Sequence, residues 1–415
     1  MDRSYASAVE LVRHAVGPLE PHLGAFVASL IAKGYSVNCV YIKARHTLAF
    51  DRWLKTGGLS IVDVDENQIG KYQRSKSRRR SRRLETRRME RRTLVLLLHF
   101  LRDASLCMPP VVETSPVANV VADFEGHLRH QQGLASYTIY GFTRIARQFL
   151  TARFGDAEPR LEAIRPAEVV EFVQLQSKRL RPPALKCVVT ALRSFFRYTQ
   201  YRGHTDAGLV ASVPSVATWA TTPQLPKAIS AEHARRAIEI CDRATAVGKR
   251  DRAVLLLLAR LGLRACEVLR LTFADIDWTN GNITVRGKGG HQCLMPLPAD
   301  VGEAIANYLQ HGRPASNDRH VFLRSHAPIV GLMEDSDAIG TIVRSALKRA
   351  GVDAPHRGSH QFRHALAVRM LKHGASLPEI AEVLRHRSPQ SSTVYARVDL
   401  DALRPLALAW PGGVL

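Results

Sequence analysis

The sequence predicts a mainly α-helical protein of more than one domain, with a single small β-sheet in its C-terminal half. Three observations support this prediction. Apolar residues recur with a helical period over most of the region before the linker. Residues 213–227 place three prolines among Ser, Thr and Ala without a helical period, which is typical of a linker. Residues 283–297 then have the pattern of a strand, a glycine-rich turn and a returning strand.

The region before the linker contains an internal similarity, with matched positions about a hundred residues apart. The matched pairs are Gly34 with Gly133, Ser36 with Ser136, Tyr41 with Tyr140, Phe50 with Phe149, Val64 with Ile164, Ile69 with Val169 and Tyr72 with Phe172. The similarity predicts two related helical domains, residues 1–110 and 117–210, although any two four-helix units share a pattern of this kind. A further domain, residues 228–415, follows the linker.

The composition favours a polyanionic partner. Lysine and arginine number 59 against 37 acidic residues, which gives a formal net charge of +22. The apolar runs are too short to span a bilayer, and the first residues lack the apolar stretch of a secretory signal, so we expect no membrane partner and a cytoplasmic or nucleoid location. The six cysteines lie singly, without zinc-ligand spacing, so we expect no metal site and reduced thiols that mostly fill the core.

The most basic segment, residues 74–92, has ten arginines and one lysine against two glutamates. Such a run can be an ordinary solvated helix face, but a one-sided excess repels itself unless phosphates neutralise it, which favours contact with the DNA backbone. The candidate residues are Arg74, Arg78, Arg79, Arg80, Arg82 and Arg83. In the second helical domain, Lys186, Arg193 and Arg197 are mixed with aromatic residues on one helix, so we expect the aromatics in the core and the basic residues facing DNA.

After the linker the pattern predicts a helix capped by Ser230 that runs through 234–240, and a second, almost wholly apolar helix over 251–263. The predicted hairpin follows, with Ile283 and Val285 in the first strand, residues 287–290 in the turn and 294–297 in the second strand. From residue 337 onward the chain is predicted to be mostly helical, apart from loops near 353–358 and 387–389.

Several residues of the last third could bind an anion or react with one, although each has an ordinary structural alternative. Arg264 projects from an apolar segment, and an arginine in such surroundings needs an anion as partner. That partner is either an external anion or only Glu267, one turn later. Lys288 lies at the glycine-rich turn and could equally be an exposed turn lysine.

A second group of candidates lies nearer the end of the chain. His360 and Arg363 are three apart and share one helix face. His386 precedes a predicted helix cap at Ser388, and Tyr395 lies about two turns into that helix, where it could also be a buried core residue. We assign no role to His364 from the sequence.

Taken together, four segments resemble the signature boxes of the phage integrase (tyrosine recombinase) family. They are residues 262–267 around Arg264, 287–289 around Lys288, 360–364 with His360 and Arg363, and 384–386 with His386, followed by Tyr395 nine residues later. The resemblance is close over 227–400 and looser over 117–210, where it corresponds to the family's SAM-like core-binding domain. It does not extend by motif to 1–110. Arg385 stands where the family usually has glycine, and Cys293 where a basic residue is common.

The resemblance implies a site-specific DNA recombinase, of integrase or transposase type, that breaks and rejoins strands through a 3′-phosphotyrosyl link without metal, ATP or another cofactor. The implied catalytic residues are Arg264, Lys288, His360, Arg363, His386 and the nucleophile Tyr395, with Glu267 in support. The two arginines would hold the phosphate oxygens, and His360 would accept the proton of Tyr395. Lys288 would protonate the leaving 5′-oxygen, and His386 would donate a hydrogen bond to the phosphate.

The implied partner is double-stranded DNA, enclosed in a C-shaped clamp by the helical domains and the catalytic domain. Four protomers would assemble on two sites, through apolar residues of the tail such as Leu403, Leu406 and Leu408, and other recombinases of the same element are possible accessories. Two alternatives stay open. One is a type IB topoisomerase, which shares this chemistry, and the other is a catalytically silent DNA-binding relative. The additional N-terminal domain favours a mobile-element enzyme over a chromosome-dimer resolvase.

Overall fold

The computed structural model describes residues 4–77, 84–109, 115–216, 228–287, 291–332, 337–354 and 358–386, together with 388, 392 and 395. Backbone contacts divide the chain into two compact units, residues 110–223 and residues 1–109 with 224–415. The mainly helical architecture with one three-stranded sheet confirms the predicted fold class. Within the described ranges, no helix combines the length and apolar character that crossing a bilayer requires.

The N-terminal segment of the larger unit is a bundle of five helices. They are α1 Tyr5–Arg13, α2 Glu20–Ala32, α3 Val37–Thr56, α4 Glu66–Ser77 and α5 Leu84–Asp103, with a 3-10 turn at Ile61–Asp63. Apolar side chains at helical spacing, among them Phe26, Phe50 and Leu98, close a core of their own. Asp51 is buried in this bundle, and its carboxylate accepts hydrogen bonds from the backbone N–H groups of Gly17 and Leu19, both at 2.8 Å. The pairing satisfies a charge that would otherwise be costly to bury.

The smaller unit is a second helical bundle. Its elements are α6 Pro116–Gly126, a π-helical turn His127–Gln131, α7 Ser136–Phe154, a 3-10 turn Leu161–Ala163, α8 Pro166–Ser177, α9 Pro182–Tyr201 and α10 Ala207–Ser212. The α9 residues Leu192, Phe195, Phe196 and Tyr198 are all buried, as the sequence predicts for these side chains. Residues 214–216 have no regular structure, and 217–227 of the predicted linker lie outside the described residues.

The two bundles share the order helix, helix, 3-10 turn, helix, helix, as α2 to α5 and as α6 to α9. Gly34 and Gly133 both have positive φ, at 77° and 59°, just before the second helix of each set. The ring of Phe50 meets Tyr72 edge-on at 5.1 Å, and the ring of Phe149 meets Phe172 edge-on at 5.4 Å. These matched contacts support the proposal that the two bundles are related.

The C-terminal segment of the larger unit has its own helical core around one sheet. Its helices are α11 Ala231–Glu239, α12 Ala246–Arg260, α13 Ala265–Leu269, α14 Ala299–His311, α15 Ala338–Arg349, α16 His360–Lys372 and α17 Leu377–Val383. The predicted cap is confirmed, because the Ser230 hydroxyl accepts a hydrogen bond from the His233 N–H at 3.0 Å. The apolar helix α12 begins five residues before its predicted start, because Thr245 caps it, and ends three residues before its predicted end. Its last turn stops before Gly262, whose φ of 58° a right-handed helix cannot accommodate.

The sheet consists of β1 Ile276–Asp277, β2 Asn282–Arg286 and β3 Gln292–Pro296, paired antiparallel in that order. Strands β2 and β3 form the predicted hairpin, with Ile283 opposite Met295 and Val285 opposite Cys293. The short strand β1 was not predicted, because two residues are too few to show the alternation of apolar and polar side chains that marks a strand. Ile283 and Val285 are buried against α12 and its neighbours, so the hairpin is anchored at its base.

The expectation that the cysteines mostly fill the core is wrong. All six are free, but only Cys107 and Cys241 are buried, whereas Cys39 and Cys187 are exposed. A scattered cysteine gives no periodic signal of burial, so its neighbours in the fold decide its environment.

Candidate active site

Arg264 lies in the turn that joins α12 to α13 and is the N-cap residue of α13. Glu267, one turn later, accepts hydrogen bonds from both the Arg264 backbone N–H at 2.8 Å and its Nη1 at 2.7 Å. Glu267 is buried, while the Arg264 side chain keeps 33% exposure. The carboxylate therefore fixes the guanidinium without covering it. Nη2 also donates to the Arg385 carbonyl at 3.5 Å, and the N–H groups outside these contacts can bind an anion.

Arg385 supplies the second cation around Glu267. Its Nη2 lies 3.0 Å from Glu267 Oε2, and its Nη1 donates to the carbonyl oxygen of Val383 at 3.1 Å. The residue has a φ of 53°, in the left-handed region that favours glycine. The turn therefore keeps the glycine-like backbone that the family pattern requires, and the arginine side chain compensates by binding the buried carboxylate. Burial alone would raise the pKa of Glu267, but the hydrogen bond from the Arg264 N–H and the charge of Arg385 hold it below its usual value.

Arg363 holds two loops of the site together. It lies in the first turn of α16, is only 3% exposed, and its Nη1 and Nη2 donate to the carbonyl oxygens of Gly262 and Leu384. Burial, together with the positive charges of Arg264 and Arg385, lowers the pKa of Arg363 to about 10. The group is therefore still a cation at neutral pH, and an approaching anion would relieve the repulsion among these three guanidiniums.

His386 follows α17 and is half-buried. Its Nδ1 lies 2.7 Å from the hydroxyl of Ser392, which is itself buried. Burial and the positive charges of Arg363 and Arg264 lower the pKa of His386 to about 4. The imidazole is therefore neutral at pH 7. If the serine hydroxyl donates to Nδ1, the ring hydrogen lies on Nε2, which is then a hydrogen-bond donor.

Tyr395 is buried, with 2% exposure, against Leu366, Ile380 and Leu384. Its hydroxyl lies 2.9 Å from Nδ1 of His364, and the two rings meet edge-on at 5.7 Å. The His386 ring lies parallel to the tyrosine ring, at 6.3 Å between centroids. Burial raises the pKa of Tyr395 against the smaller opposing effect of Arg363. The hydroxyl therefore keeps its proton at neutral pH unless a neighbouring base removes it.

His360 begins α16, and its ring centroid lies 6.3 Å from that of His364, one turn later. Loss of hydration and the charges of Arg363 and Arg264 lower the pKa of His360. Lys288 lies outside the described residues. The strands that carry its turn are described, and the turn is closed by a hydrogen bond from the Gly287 N–H to the His291 carbonyl at 2.7 Å.

The predicted DNA-binding residues are only partly described. Arg74 is exposed and lines an open surface depression with Arg87, Arg88 and Arg91. Arg78, Arg79, Arg80, Arg82 and Arg83 lie outside the described residues. Lys186 and Arg197 on α9 are exposed, as a DNA-facing role requires. Arg193 is half-buried, and its Nη2 donates to the Val213 carbonyl at 3.0 Å, so part of its guanidinium is bound within the bundle.

The structure therefore brings together Arg264, Glu267, Arg363, His386 and Tyr395, and adds three residues that sequence reasoning missed. They are His364, Ser392 and Arg385. His364 could have been found as the i+4 neighbour of His360 on one helix face. The contacts of Ser392 and Arg385 join segments whose approach no sequence period reveals. Such a group of guanidiniums beside a phenol suits attack on a phosphate ester. Among the residues that the structure describes, no three His, Cys, Asp or Glu side chains are grouped to hold a metal ion.

Comparison with known proteins identifies similar chains. Residues 227–401 match the model of the phage integrase family. The protein y4rA of Sinorhizobium fredii is 43% identical over 405 residues, which is 97% of each chain. The tyrosine recombinase XerC of Oceanobacillus iheyensis is 31% identical over 68% of this chain and 92% of its own length. The crystal structure of the XerH site-specific recombinase bound to palindromic difH substrate, a post-cleavage complex, superposes with a TM-score of 0.54 at 20% identity, over 69% of this chain and 83% of that one.

Proposed function

Because the chain belongs to the phage integrase family of tyrosine recombinases, we propose that it breaks and rejoins double-stranded DNA through a 3′-phosphotyrosyl link at Tyr395. The observation that carries this proposal is the placement of the Tyr395 hydroxyl in one cluster with His364, His386 and Arg363. A phosphodiester repels nucleophiles, so a phenol near guanidiniums that neutralise the phosphate is suited to attack it.

In this proposal Arg264 and Arg363 hold the two non-bridging oxygens of the scissile phosphate. Arg264 has five side-chain N–H groups, of which its contacts with Glu267 and with the Arg385 carbonyl use two. Arg363 likewise has five N–H groups, of which its two backbone contacts use two. Their charges stabilise the pentacovalent transition state, the role that a metal ion has in many phosphoryl-transfer enzymes. Neutral His386 adds a hydrogen bond from Nε2. Lys288 protonates the leaving 5′-oxygen, a role that rests on the family motif alone.

Rejoining needs no ATP, since the phosphotyrosyl ester conserves the energy of the broken bond. The released 5′-hydroxyl attacks the ester, and Tyr395 leaves with its proton restored. His360 is the sequence-based candidate for proton acceptor, and its place beside Arg363 also suits a contact with the phosphate.

The N-terminal bundle and the smaller unit are proposed to bind DNA outside the scissile phosphate, through exposed basic residues such as Arg74, Lys186 and Arg197. The match to XerC covers 68% of this chain, so about a third of the chain lies outside that match. This additional region supports a mobile-element integrase or transposase over a resolvase. Assembly as a tetramer on paired sites, accessory recombinases of the same element and action at the nucleoid complete the proposal.

The test recovers the substrate and the covalent link together. The protein is incubated with sheared genomic DNA of its source organism and denatured in detergent, and the DNA that stays attached is sequenced. We expect enrichment of a defined site with the wild-type chain, a nucleotide adduct on the Tyr395 peptide by mass spectrometry, and neither with Tyr395→Phe. An adduct that persists in Tyr395→Phe contradicts the assignment.

Two further arms separate related mechanisms. EDTA is expected to leave cleavage of the recovered site unchanged, since the arginines supply the positive charge. A plasmid carrying two copies of the site is expected to yield recombinant circles. Relaxation of plasmids that lack the site, without recombination, indicates a topoisomerase instead.

A further inference from the structure

His364 is the residue that contacts the nucleophilic oxygen directly. Its Nδ1 lies 2.9 Å from the Tyr395 hydroxyl, a distance at which a phenol donates a normal hydrogen bond to a neutral imidazole. The two residues are 31 positions apart, so the contact is not a product of local chain geometry. His364 projects from the second turn of α16, and Arg363, next to it, binds the Gly262 and Leu384 carbonyls, so this helix is tied to both loops of the site.

The reaction needs a base at this position. Tyr395 is buried, and burial raises the pKa of its hydroxyl, so phenolate cannot form at neutral pH without a local acceptor. An effective general base must lie within hydrogen-bond reach of the proton that it removes. His364 meets this geometric condition in the absence of DNA, before any rearrangement.

The other two histidines of the site are less suited to accept the proton. Nδ1 of His386 is occupied by the Ser392 hydroxyl at 2.7 Å, and its pKa of about 4 makes its ring a poor acceptor. His360 lies one turn before His364, at 6.3 Å between ring centroids. Burial and the positive charges of Arg363 and Arg264 lower the pKa of His360. The positive charges of Arg363 and Arg264 therefore disfavour a proton on His360.

We propose that His364 is a catalytic residue, the general base of strand cleavage, an inference that rests on the proposed function of Tyr395. The O–H bond of Tyr395 breaks and an N–H bond forms at Nδ1 of His364, while the electron pair stays on the phenolic oxygen. That oxygen forms the new bond to phosphorus as the bond to the 5′-oxygen breaks, and the leaving oxygen takes its proton from Lys288. In rejoining, the same proton returns from Nδ1 to Tyr395.

The decisive variant is His364→Asn. The asparagine side-chain amide occupies the position of Nδ1 and can keep the hydrogen bond to Tyr395, but it cannot accept a proton at neutral pH. His364→Ala removes both functions. On a suicide substrate built from the recovered site, we expect both variants to cleave about 10²- to 10⁴-fold more slowly than wild type, the range that general base catalysis contributes. Their affinity for the DNA is expected to stay unchanged.

A substrate with sulfur in place of the bridging 5′-oxygen identifies the step. A thiolate leaves without protonation, so this substrate should restore cleavage by Lys288→Ala but not by His364→Asn. The matched control is His373→Asn, which changes an exposed histidine just after the same helix and should cleave like wild type.

Three outcomes overturn the proposal. They are His364→Asn cleaving within about threefold of wild type, rescue of that variant by the sulfur substrate, and a loss of cleavage in His360→Asn that His364→Asn does not share. Should His364→Ala fail to fold, the near-isosteric asparagine variant carries the test. If the wild-type chain forms no adduct at Tyr395, the proposed function itself fails, so the two failures are distinguishable.

Discussion

At the residue scale, the site depends on one buried carboxylate between two arginines. Glu267 binds Arg264 on one side and Arg385 on the other, and its side chain is 1% exposed. Sequence reasoning predicted the first contact from the spacing of the two residues. It could not predict the second, because Arg385 lies 118 positions away and stands in a turn where glycine was expected.

Substitution of Arg385 separates backbone strain from charge pairing. Arg385→Ala leaves Glu267 short of a partner, and breaking a buried pair costs about 3–5 kcal/mol. Arg385→Gly removes the same partner but relieves the left-handed backbone, worth roughly 1–2 kcal/mol. We therefore expect both variants to unfold at lower urea concentration than wild type, with the glycine variant the more stable of the two. An alanine variant as stable as wild type would show that the ion pair contributes nothing, because alanine keeps the left-handed backbone strain and lacks only the pair.

The low pKa of His386 predicts how stability depends on pH. The folded chain binds a proton on this ring only near pH 4, whereas an unfolded histidine does so near its ordinary value of about 6.5. Between these values the unfolded state holds the additional proton, so the stabilisation is complete above pH 6.5 and is lost as the pH falls toward 4. The lowered pKa of His360 acts in the same direction.

Urea unfolding at pH 7, 6 and 5 measures this dependence. The midpoint should fall less steeply with decreasing pH in His386→Asn than in wild type, because the variant lacks one of the groups that titrate. Equal slopes in His386→Asn and wild type would mean that the ring is not held neutral by the fold.

At the element scale, the turn between α12 and α13 lies in close contact with α16 and with the end of α17. Gly262 has a φ of 58°, and a Cβ there would lie 2.8 Å from Leu384 Cδ2 and 3.0 Å from Leu366 Cδ2. The carbonyl oxygen of Gly262 also accepts a hydrogen bond from Nη1 of Arg363. The absent side chain therefore lets α16 and the loop after α17 close on this turn.

Gly262→Ala is expected to lower stability through two effects. The left-handed backbone costs about 1–2 kcal/mol for alanine, and the forced contact with the two leucines costs about 1–3 kcal/mol more. Gly281→Ala is the matched control, since its φ is 62° and its added Cβ meets nothing within 4 Å. The difference in unfolding free energy between the two variants measures the packing effect, and equal destabilisation of the two would contradict it. Cleavage should decline only in Gly262→Ala.

The elements also show what a sequence pattern can and cannot predict. The Ser230 cap and the β2–β3 hairpin follow from local signals, a capping hydroxyl and strands around a glycine-rich turn. Helix α12 was placed too late in the chain, because a glycine and two basic residues at 248–250 interrupt its apolar pattern and only Thr245 marks its start. The His364–Tyr395 contact depends on how α16 packs against a later segment, and no periodicity in either segment encodes that arrangement.

At the scale of the whole molecule, the net charge of +22 predicts affinity for any duplex. The described part of the most basic segment places Arg74, Arg87, Arg88 and Arg91 around one open depression. Changing these four residues to glutamine should weaken binding to target and random DNA alike. The slope of log affinity against log salt should flatten by about 0.9 for each phosphate that the variant no longer neutralises.

A control variant that loses the same number of positive charges elsewhere separates the effect of their position from the effect of the net charge. Four arginines that are paired with a nearby carboxylate serve for this purpose, namely Arg13, Arg129, Arg235 and Arg344. Their joint change to glutamine should leave the salt slope close to that of wild type. If the variant at the depression kept the wild-type salt slope but no longer discriminated between target and random DNA, residues 74–92 would bind bases instead of phosphates.

The burial of Tyr395 has a consequence for the genome in which the protein acts. A chain this basic spends most of its time on sequences that are not its substrate, and any phosphate it touches there is chemically equivalent to the correct one. Tyr395 is only 2% exposed and its hydroxyl lies 2.9 Å from Nδ1 of His364, so the proposed nucleophile is shielded while the chain resides on such sequences. In the proposed reaction Tyr395 must become accessible to the phosphate before the strand is cut, so selectivity can reside in that step even where binding is indiscriminate.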